Sequence, residues 1–180
     1  MRSEEFWGYF DVQARQKLAL RADTFAKICE YLDRFDRPVG IVETGCVRKA
    51  DNWAGDGQST ILFDKYAQFH QGTVVYTVNL DEQATSMCRT LVSERVKVHT
   101  GDSVAFLKAL ADAPPNDLAA IDLLYLDSFD LDLEDVFPSA FHHMKELTAI
   151  AAMIHPETLV VVDDSPSYFS GVPARMGSKW

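Results

Sequence analysis

The sequence predicts an α/β protein built on a doubly wound, Rossmann-like, mostly parallel sheet with helices on both faces. Short apolar runs rich in β-branched residues alternate with segments of helical spacing, in the order βαβαβαβαβ. The runs are near-continuous, which is typical of strands buried on both faces. An acid or amide also follows each predicted strand. We expect strands at 39–42, 73–78, 96–99, 121–126 and 158–162, and helices at 59–69, 82–92, 103–111 and 134–153.

The 180 residues predict a single domain. An N-terminal helical segment, 1–37, precedes a core of 38–166 and a short tail of 167–180. Between residues 11 and 35 the apolar positions share one face of an amphipathic helix, which we expect to end before Pro38.

The formal net charge of −10 and the lack of a basic run exclude nucleic acid as the expected partner. Three widely spaced cysteines indicate neither a disulfide framework nor a structural zinc site. With no apolar run of membrane-spanning length and no apolar leader, we expect a cytoplasmic protein without a membrane partner. Its expected partner is a small molecule.

The stretch 41–60 has the layout of a strand, a glycine-rich loop and a helix start. An apolar run ends in Glu43, Gly45 and Gly57 permit tight turns, and Ser59 can cap the following helix. Such a layout holds a small polar ligand, but a capped loop without a ligand has the same pattern.

The later strand ends carry further polar residues. In a doubly wound sheet these ends gather at one edge, where ligands bind. Asp and Ser are also common helix caps and turn residues, so each of them alone has a structural explanation. The residues are Asn79 and Asp81 after the second strand, Asp102 and Ser103 after the third, Asp127 and Asp130 after the fourth, and Asp163 and Asp164 after the fifth.

From about residue 39 to 164, this order of motifs resembles the class I S-adenosylmethionine (SAM)-dependent methyltransferases. Glu-x-Gly follows the first strand, Gly-Asp-Ser the third, Leu-Asp-Ser the fourth and Val-Asp-Asp the fifth. Within that class the chain is most similar to the metal-dependent small-molecule O-methyltransferases of the macrocin and catechol types.

The resemblance implies SAM as cofactor. Glu43, Thr44 and Gly45 would lie against its methionine part, with Ser59 and the backbone near Gly57 facing the carboxylate. Asn79 stands where an acid usually accepts both ribose hydroxyls, and Asp81 could do so instead.

The resemblance also places two further residues, Asp102 and Ser103, beside the adenine. Both are equally suited to cap the next helix.

Asp127, Asp163 and Asp164 form the expected metal site. Three converging carboxylates need either a shared proton or a cation, and a hard ion such as Mg²⁺ fits oxygen ligands. The alternative is a solvated, Asp-rich strand exit. The resemblance implies Asp127 and Asp130 as catalytic residues, with Asp130 near the position of the general base. Of His142 and His143, at most one can face the site.

Two departures from the family pattern stand out. The insertion 47–54 carries Trp53, either as a substrate-contact or lid residue or as a packing anchor. The tail after Pro166 is too short for the usual terminal helix and antiparallel strand pair. We therefore expect a fifth strand at the sheet edge, where a second copy could pair.

These observations lead first to a SAM-dependent O-methyltransferase that acts on a small hydroxylated acceptor with Mg²⁺. A non-catalytic nucleoside-binding or assembly protein is the first alternative. The second is another Rossmann-type enzyme, such as an NAD-dependent oxidoreductase or a hydroxylase-like protein. The absence of a compact Gly-x-Gly-x-x-Gly loop disfavours an oxidoreductase.

Overall fold

The computed structural model describes residues 2–53, 58–132 and 134–163, and the backbone of 168–169 and 172–173. Seven α-helices lie within these residues: α1 Glu4–Tyr9, α2 Arg15–Leu18, α3 Ala22–Leu32, α4 Ser59–Phe69, α5 Glu82–Leu91, α6 Ser103–Asp112 and α7 Phe137–Ile150. The strands are β1 Gly40–Thr44, β2 Val74–Asn79, β3 Val96–Thr100, β4 Leu123–Leu126, β5 Leu159–Val162, β6 Tyr168–Phe169 and β7 Val172–Pro173.

The first five strands form one parallel sheet in the order β3-β2-β1-β4-β5, which confirms the predicted doubly wound fold. Strand order reverses between β1 and β4, so the switch point lies at their carboxyl ends. β5 is an edge strand within the described residues, as expected. β6 and β7 form a separate antiparallel pair in the tail.

Alternate side chains of β1 reach opposite faces of the sheet and enter two separate cores. Ile41 packs with aromatic residues of the N-terminal helices and α4, including Phe6, Phe25 and Phe63. Val42 packs on the other face with Leu107 of α6 and Ile150 of α7. Burial on both faces explains why the strands have continuous apolar sequences rather than alternating ones.

The N-terminal region differs from the single helix expected between residues 11 and 35. Helix begins earlier, at Glu4, where Ser3 Oγ accepts a hydrogen bond from Phe6 N at 3.2 Å. A π-helical turn follows at Phe10–Ala14, and the helix breaks at Ala19, where φ is +50°. Leu18 and Ala22 are buried on either side of this break, so apolar spacing continues through it and cannot reveal it.

Helix α7 begins at Phe137, three residues later than expected. Asp132 Oδ1 accepts from Glu134 N at 2.9 Å, and Asp135 Oδ1 accepts from Phe137 N at 3.4 Å. Side-chain bonds of this kind hold the backbone in turns and compete with helix. Pro138 then occupies the first turn, where its missing N–H removes no helical bond.

Candidate functional site

A cavity of about 360 Å³ opens at the carboxyl edge of the sheet, beside the switch point. Residues from the ends of β1, β2 and β4, from the start of α4 and from the insertion line it. They are Gly45, Cys46, Arg48, Ser59, Asn79, Asp81, Asp127, Ser128, Phe129 and Asp130. Six of the residues singled out in the sequence therefore meet around one cavity, namely Gly45, Ser59, Asn79, Asp81, Asp127 and Asp130.

Gly45 brings the ends of three strands together. Its φ is +93°, and a Cβ atom at this position would lie 2.3 Å from the backbone oxygen of Asp127. Gly45 N donates to Val78 O at 2.8 Å, and Thr77 Oγ1 donates to Gly45 O at 2.5 Å. Only glycine permits both this conformation and this close approach.

Glu43 lies behind the cavity wall rather than in its lining. Its side chain is fully buried, and its two oxygens accept from Ser59 Oγ at 2.6 Å and from Thr60 Oγ1 at 2.7 Å. Burial raises the pKa of Glu43 to about 7, although the hydroxyl donors favour the ionised form. Through its hydrogen bonds to Ser59 and Thr60, Glu43 fixes the first turn of α4 against β1.

Thr44 is also fully buried, behind the same wall. Its Oγ1 accepts from Asp127 N at 3.3 Å, and its backbone oxygen accepts from the same N–H at 2.9 Å. Thr44 thus joins the end of β1 to the end of β4.

The end of β2 presents two acceptor side chains in the lining. Asn79 Oδ1 accepts from Asp81 N at 2.9 Å. Asp81 caps α5, since its Oδ1 accepts from Gln83 N at 2.7 Å and from Ala84 N at 3.4 Å. Both cap bonds use Oδ1, and the carboxylate has a second oxygen besides. This geometry favours Asp81 over Asn79 as a binder of adjacent hydroxyls.

Asp102 and Ser103, at the end of β3, are not among the cavity-lining residues. Asp102 caps α6 by accepting from Ala105 N at 2.8 Å. Ser103 is buried, with Oγ 3.0 Å from His142 Nε2. The structure thus gives both residues a local role, and their predicted contact with adenine stays a prediction.

The predicted metal ligands come from adjacent strands. Leu126 and Val162 are partners in the β4–β5 register, so Asp127 and Asp163 follow side by side, and Asp163 N donates to Leu126 O at 3.0 Å. Asp164 and Gly57 lie outside the described residues. Among residues 2–53, 58–132 and 134–163, no three His, Cys, Asp or Glu side chains are grouped to hold a metal ion. A site that needs Asp164 stays a prediction.

The insertion has two parts with different surroundings. Arg48 lines the cavity. Trp53 instead packs against the N-terminal core, where Lys17 lies 5.3 Å from its ring centroid and Arg21 donates to its backbone oxygen. Trp53 Nε1 donates to Asp51 Oδ1 at 2.7 Å. Of the two roles considered for Trp53, the structure supports the packing anchor.

Sequence reasoning missed a buried polar cluster behind the cavity, formed by Glu146 of α7 with His142, His143, Ser103 and Ser128. Glu146 is fully buried; its Oε1 accepts from Ser128 Oγ at 2.6 Å, and its Oε2 lies 2.8 Å from His143 Nδ1. His142 Nε2 is 3.4 Å from Oε1. The signal was present, because Glu146 follows the two histidines at helical spacings of four and three.

None of the described helices has the length and hydropathy of a membrane span.

No protein-family model matches this chain, and no curated protein matches it either. Among solved structures, it is similar to a SAM-dependent methyltransferase from Agrobacterium tumefaciens, with a TM-score of 0.54 and 13% identity over 79% of this chain and 44% of that one. It is also similar to human methyltransferase-like protein 13 in complex with SAH (S-adenosylhomocysteine), with a TM-score of 0.48 and 17% identity over 83% and 62%. This chain thus spans less than two thirds of either protein. The first likeness establishes the fold alone, which this chain shares with that methyltransferase.

Proposed function

We propose that this chain is a SAM-dependent methyltransferase that binds its cofactor in the cavity at the switch point. One observation carries the proposal. Residues selected from three separate stretches of the sequence line a single cavity of about 360 Å³ at the sheet edge where doubly wound folds bind ligands.

The residues present fit the charge and hydrogen-bonding groups of SAM. Asp81 offers a carboxylate to the two adjacent ribose hydroxyls, which suit its pair of oxygens. Ser59 lies in the first turn of α4, where backbone N–H groups favour the methionine carboxylate. Asp127 and Asp130 supply negative charge beside a cationic sulfonium. SAM, when bound, supplies a methyl group that a nucleophile can displace from sulfur.

We propose a small hydroxylated compound as the acceptor. Asp130 is exposed in the lining and would take the hydroxyl proton while the acceptor oxygen forms its bond to the methyl carbon. Asp127, at the end of β4, would orient that hydroxyl, and Phe129 offers an apolar surface beside it.

We further propose that Mg²⁺ assists, held by Asp127 together with Asp163 and Asp164. The adjacent registers of Asp127 and Asp163 support a shared ion. Such an ion would lower the pKa of the bound hydroxyl. The test is calorimetric titration with Mg²⁺ of the wild type and of Asp163→Ala, for which we expect binding heat only in the wild type. A wild type without binding heat would remove the metal from the proposal.

The main test is calorimetry with SAM, SAH and NAD⁺, each on the wild type and on Asp81→Ser. We expect both adenosyl ligands to bind the wild type, and Asp81→Ser to weaken SAH binding by about tenfold, since it retains a capping hydroxyl but loses a charge-assisted acceptor. Asp11→Ala is the control, because Asp11 forms an exposed ion pair with Arg15 outside the lining.

The outcomes separate the alternatives. Transfer of a labelled methyl group from SAM to a catechol or sugar acceptor would support the enzyme. SAH binding without transfer to any hydroxylated acceptor would favour a non-catalytic nucleoside-binding protein. Binding of NAD⁺ in place of both adenosyl ligands would overturn the proposal in favour of an oxidoreductase.

A further inference from the structure

We propose that Glu146, which lies outside the cavity, is a positioning residue that holds the Ser128–Phe129 wall of the cavity in place. The inference deepens the proposed function and rests on it for its effect on ligand binding. Its geometric basis, the contacts between α7 and the loop after β4, is independent of the ligand.

Helix α7 contacts this loop at three places. Glu146 Oε1 accepts from Ser128 Oγ at 2.6 Å. The His142 ring lies 5.2 Å from the Phe129 ring, centroid to centroid. Ser139 Oγ donates to Phe129 O at 3.2 Å. Because Ser128 and Phe129 both line the cavity, the side chains of α7 support its wall from behind.

The same cluster also reaches the end of β3, the strand at the opposite edge of the sheet from β5. Ser103, at the start of α6, has its Oγ 3.0 Å from His142 Nε2, and His142 Nε2 is 3.4 Å from Glu146 Oε1. Ser103 follows β3 and Ser128 follows β4, and β2 and β1 lie between these strands in the sheet. Glu146 and His142 therefore join two strand ends that no backbone ladder joins directly. The cavity opens at the ends of the strands between them.

Glu146 is well suited to this task because it is buried and fully engaged. Its side chain has no exposure, and its two oxygens face different donors, Ser128 on one side and His143 on the other. A buried carboxylate held on both oxygens has one orientation, which fixes the Ser128 hydroxyl that it binds. Loss of this acceptor would release Ser128 and leave the loop after β4 held by Ser139 and His142 at Phe129.

A purely structural role would lower stability without a specific link to the cavity, so the experiment measures coupling. SAH affinity is determined by calorimetry for Glu146→Ala, Ser128→Ala and the double variant. If Glu146 acts through Ser128, the two changes are not additive, and the double variant binds SAH about as weakly as the worse single variant. Fully additive changes would overturn the proposal.

A comparison of Glu146→Ala with the more conservative Glu146→Gln adds a second test. We expect Glu146→Ala to weaken SAH binding about tenfold, and Glu146→Gln about threefold, because the amide oxygen still accepts from Ser128. Thr148→Ala on the same helix is the control, since Thr148 is exposed and its Oγ1 donates to the backbone oxygen of Met144. Unchanged affinity in a folded Glu146→Ala protein would contradict the proposal. Should that variant not fold, the Gln and Ser128 variants carry the test.

Amide hydrogen exchange distinguishes failure of this inference from failure of the proposed function. Exchange at residues 128–130 is measured without ligand in the wild type, Glu146→Gln and Thr148→Ala. We expect exchange to be faster by about threefold in Glu146→Gln alone, because an amide oxygen is a weaker acceptor than a carboxylate and opening of the loop becomes easier. If wild type does not bind SAH, the proposed function fails, yet faster exchange still supports the positioning role. Unchanged exchange would overturn that role.

Discussion

Glu43 and Glu146 are both fully buried and lie on opposite faces of the sheet beside the same cavity. Their pKa values are nevertheless shifted in opposite directions. Glu43 of β1 accepts from the hydroxyls of Ser59 and Thr60 on α4 and of Thr77 on β2, and burial raises its pKa to about 7, with Asp163 adding to the rise. For Glu146, burial alone would raise the pKa, but hydrogen bonds from His143, Ser103 and Ser128 outweigh it and hold the pKa below its ordinary value. For Glu43 the cost of burying the charge exceeds what its hydroxyl donors supply, whereas for Glu146 the hydrogen bonds, one of them from His143, exceed that cost.

The two residues therefore hold different parts of the site by different means. Glu43 anchors the first turn of α4 through two hydroxyl groups that donate to the carboxylate, and a hydroxyl can also accept from the protonated acid. Glu146 anchors the loop after β4 as a carboxylate flanked by imidazoles, an arrangement that depends on its charge. Substitution of Glu43 and of Glu146 should therefore have different effects on the stability of the protein.

The largest expected effect is from Glu146→Ala. It leaves His143 and Ser128 without this buried acceptor, and each buried donor left unpaired costs about 1 to 3 kcal/mol of unfolding free energy. Urea unfolding at pH 7 measures the loss. Glu146→Gln should cost clearly less, because one acceptor and one donor remain. Equal losses in the two variants would show that packing, not the carboxylate, holds this region.

The second prediction concerns Glu43→Gln and its dependence on pH. Because the folded pKa of Glu43 is about 7, against an ordinary value of 4.5, the folded state binds more protons than the unfolded state between these values. Its contribution to stability is present below pH 4.5 and is lost as pH rises through 7, by on the order of 3 kcal/mol.

Urea unfolding of the wild type and Glu43→Gln between pH 4.5 and 8 tests this directly. The Gln variant lacks the titrating group, so its stability should gain on that of the wild type as pH rises. Glu146→Gln is the control, since the lowered folded pKa of Glu146 gives stability that is lost only as pH falls below 4.5, so its difference from the wild type should stay nearly constant over this range. A constant difference between wild type and Glu43→Gln across this range would contradict the raised pKa.

The sequence was sufficient to predict the sheet, its helices and the edge at which the cavity opens. Near-continuous apolar strands and regular helical spacing are local signals, and the parallel topology follows from their alternation. The sequence also predicted that Gly45, Asp81 and Asp127, which follow the first, second and fourth strands, meet at one site, because parallel strands bring their carboxyl ends to one edge.

Side-chain partners were not predictable in the same way. Glu43 and Ser59 are sixteen positions apart and bind each other, so neither is simply a ligand contact. Glu146 is eighteen positions from Ser128, and only the packing of α7 brings them together. The break at Ala19 was hidden because apolar spacing continues across it. Patterns report which face a residue occupies, whereas such pairs depend on the distance between packed elements.

The smallest expected effect is that of Asp163 on the pKa of Glu43. Its carboxylate adds to the raised pKa of Glu43, after burial as the main cause, and is not among the causes for Glu146. Asp163→Asn should therefore move the titration of Glu43 to lower pH and leave Glu146 unchanged, because removal of a nearby like charge favours the ionised form.

Carboxyl ¹³C NMR titration of both glutamates checks this, with Asp130→Asn as the matched control, since Asp130 lines the cavity but is not among the causes that shift Glu43. The titration separates two views of the end of β5. If Asp163 acts on Glu43 as a bare charge, Asp163→Asn changes the titration whether or not Mg²⁺ is added. If Asp163 holds Mg²⁺, added Mg²⁺ screens the Asp163 charge in the wild type and lowers the pKa of Glu43, as Asp163→Asn does. In Asp163→Asn, added Mg²⁺ should then leave the pKa of Glu43 unchanged. A Glu43 titration indifferent to both changes would assign its raised pKa to burial alone.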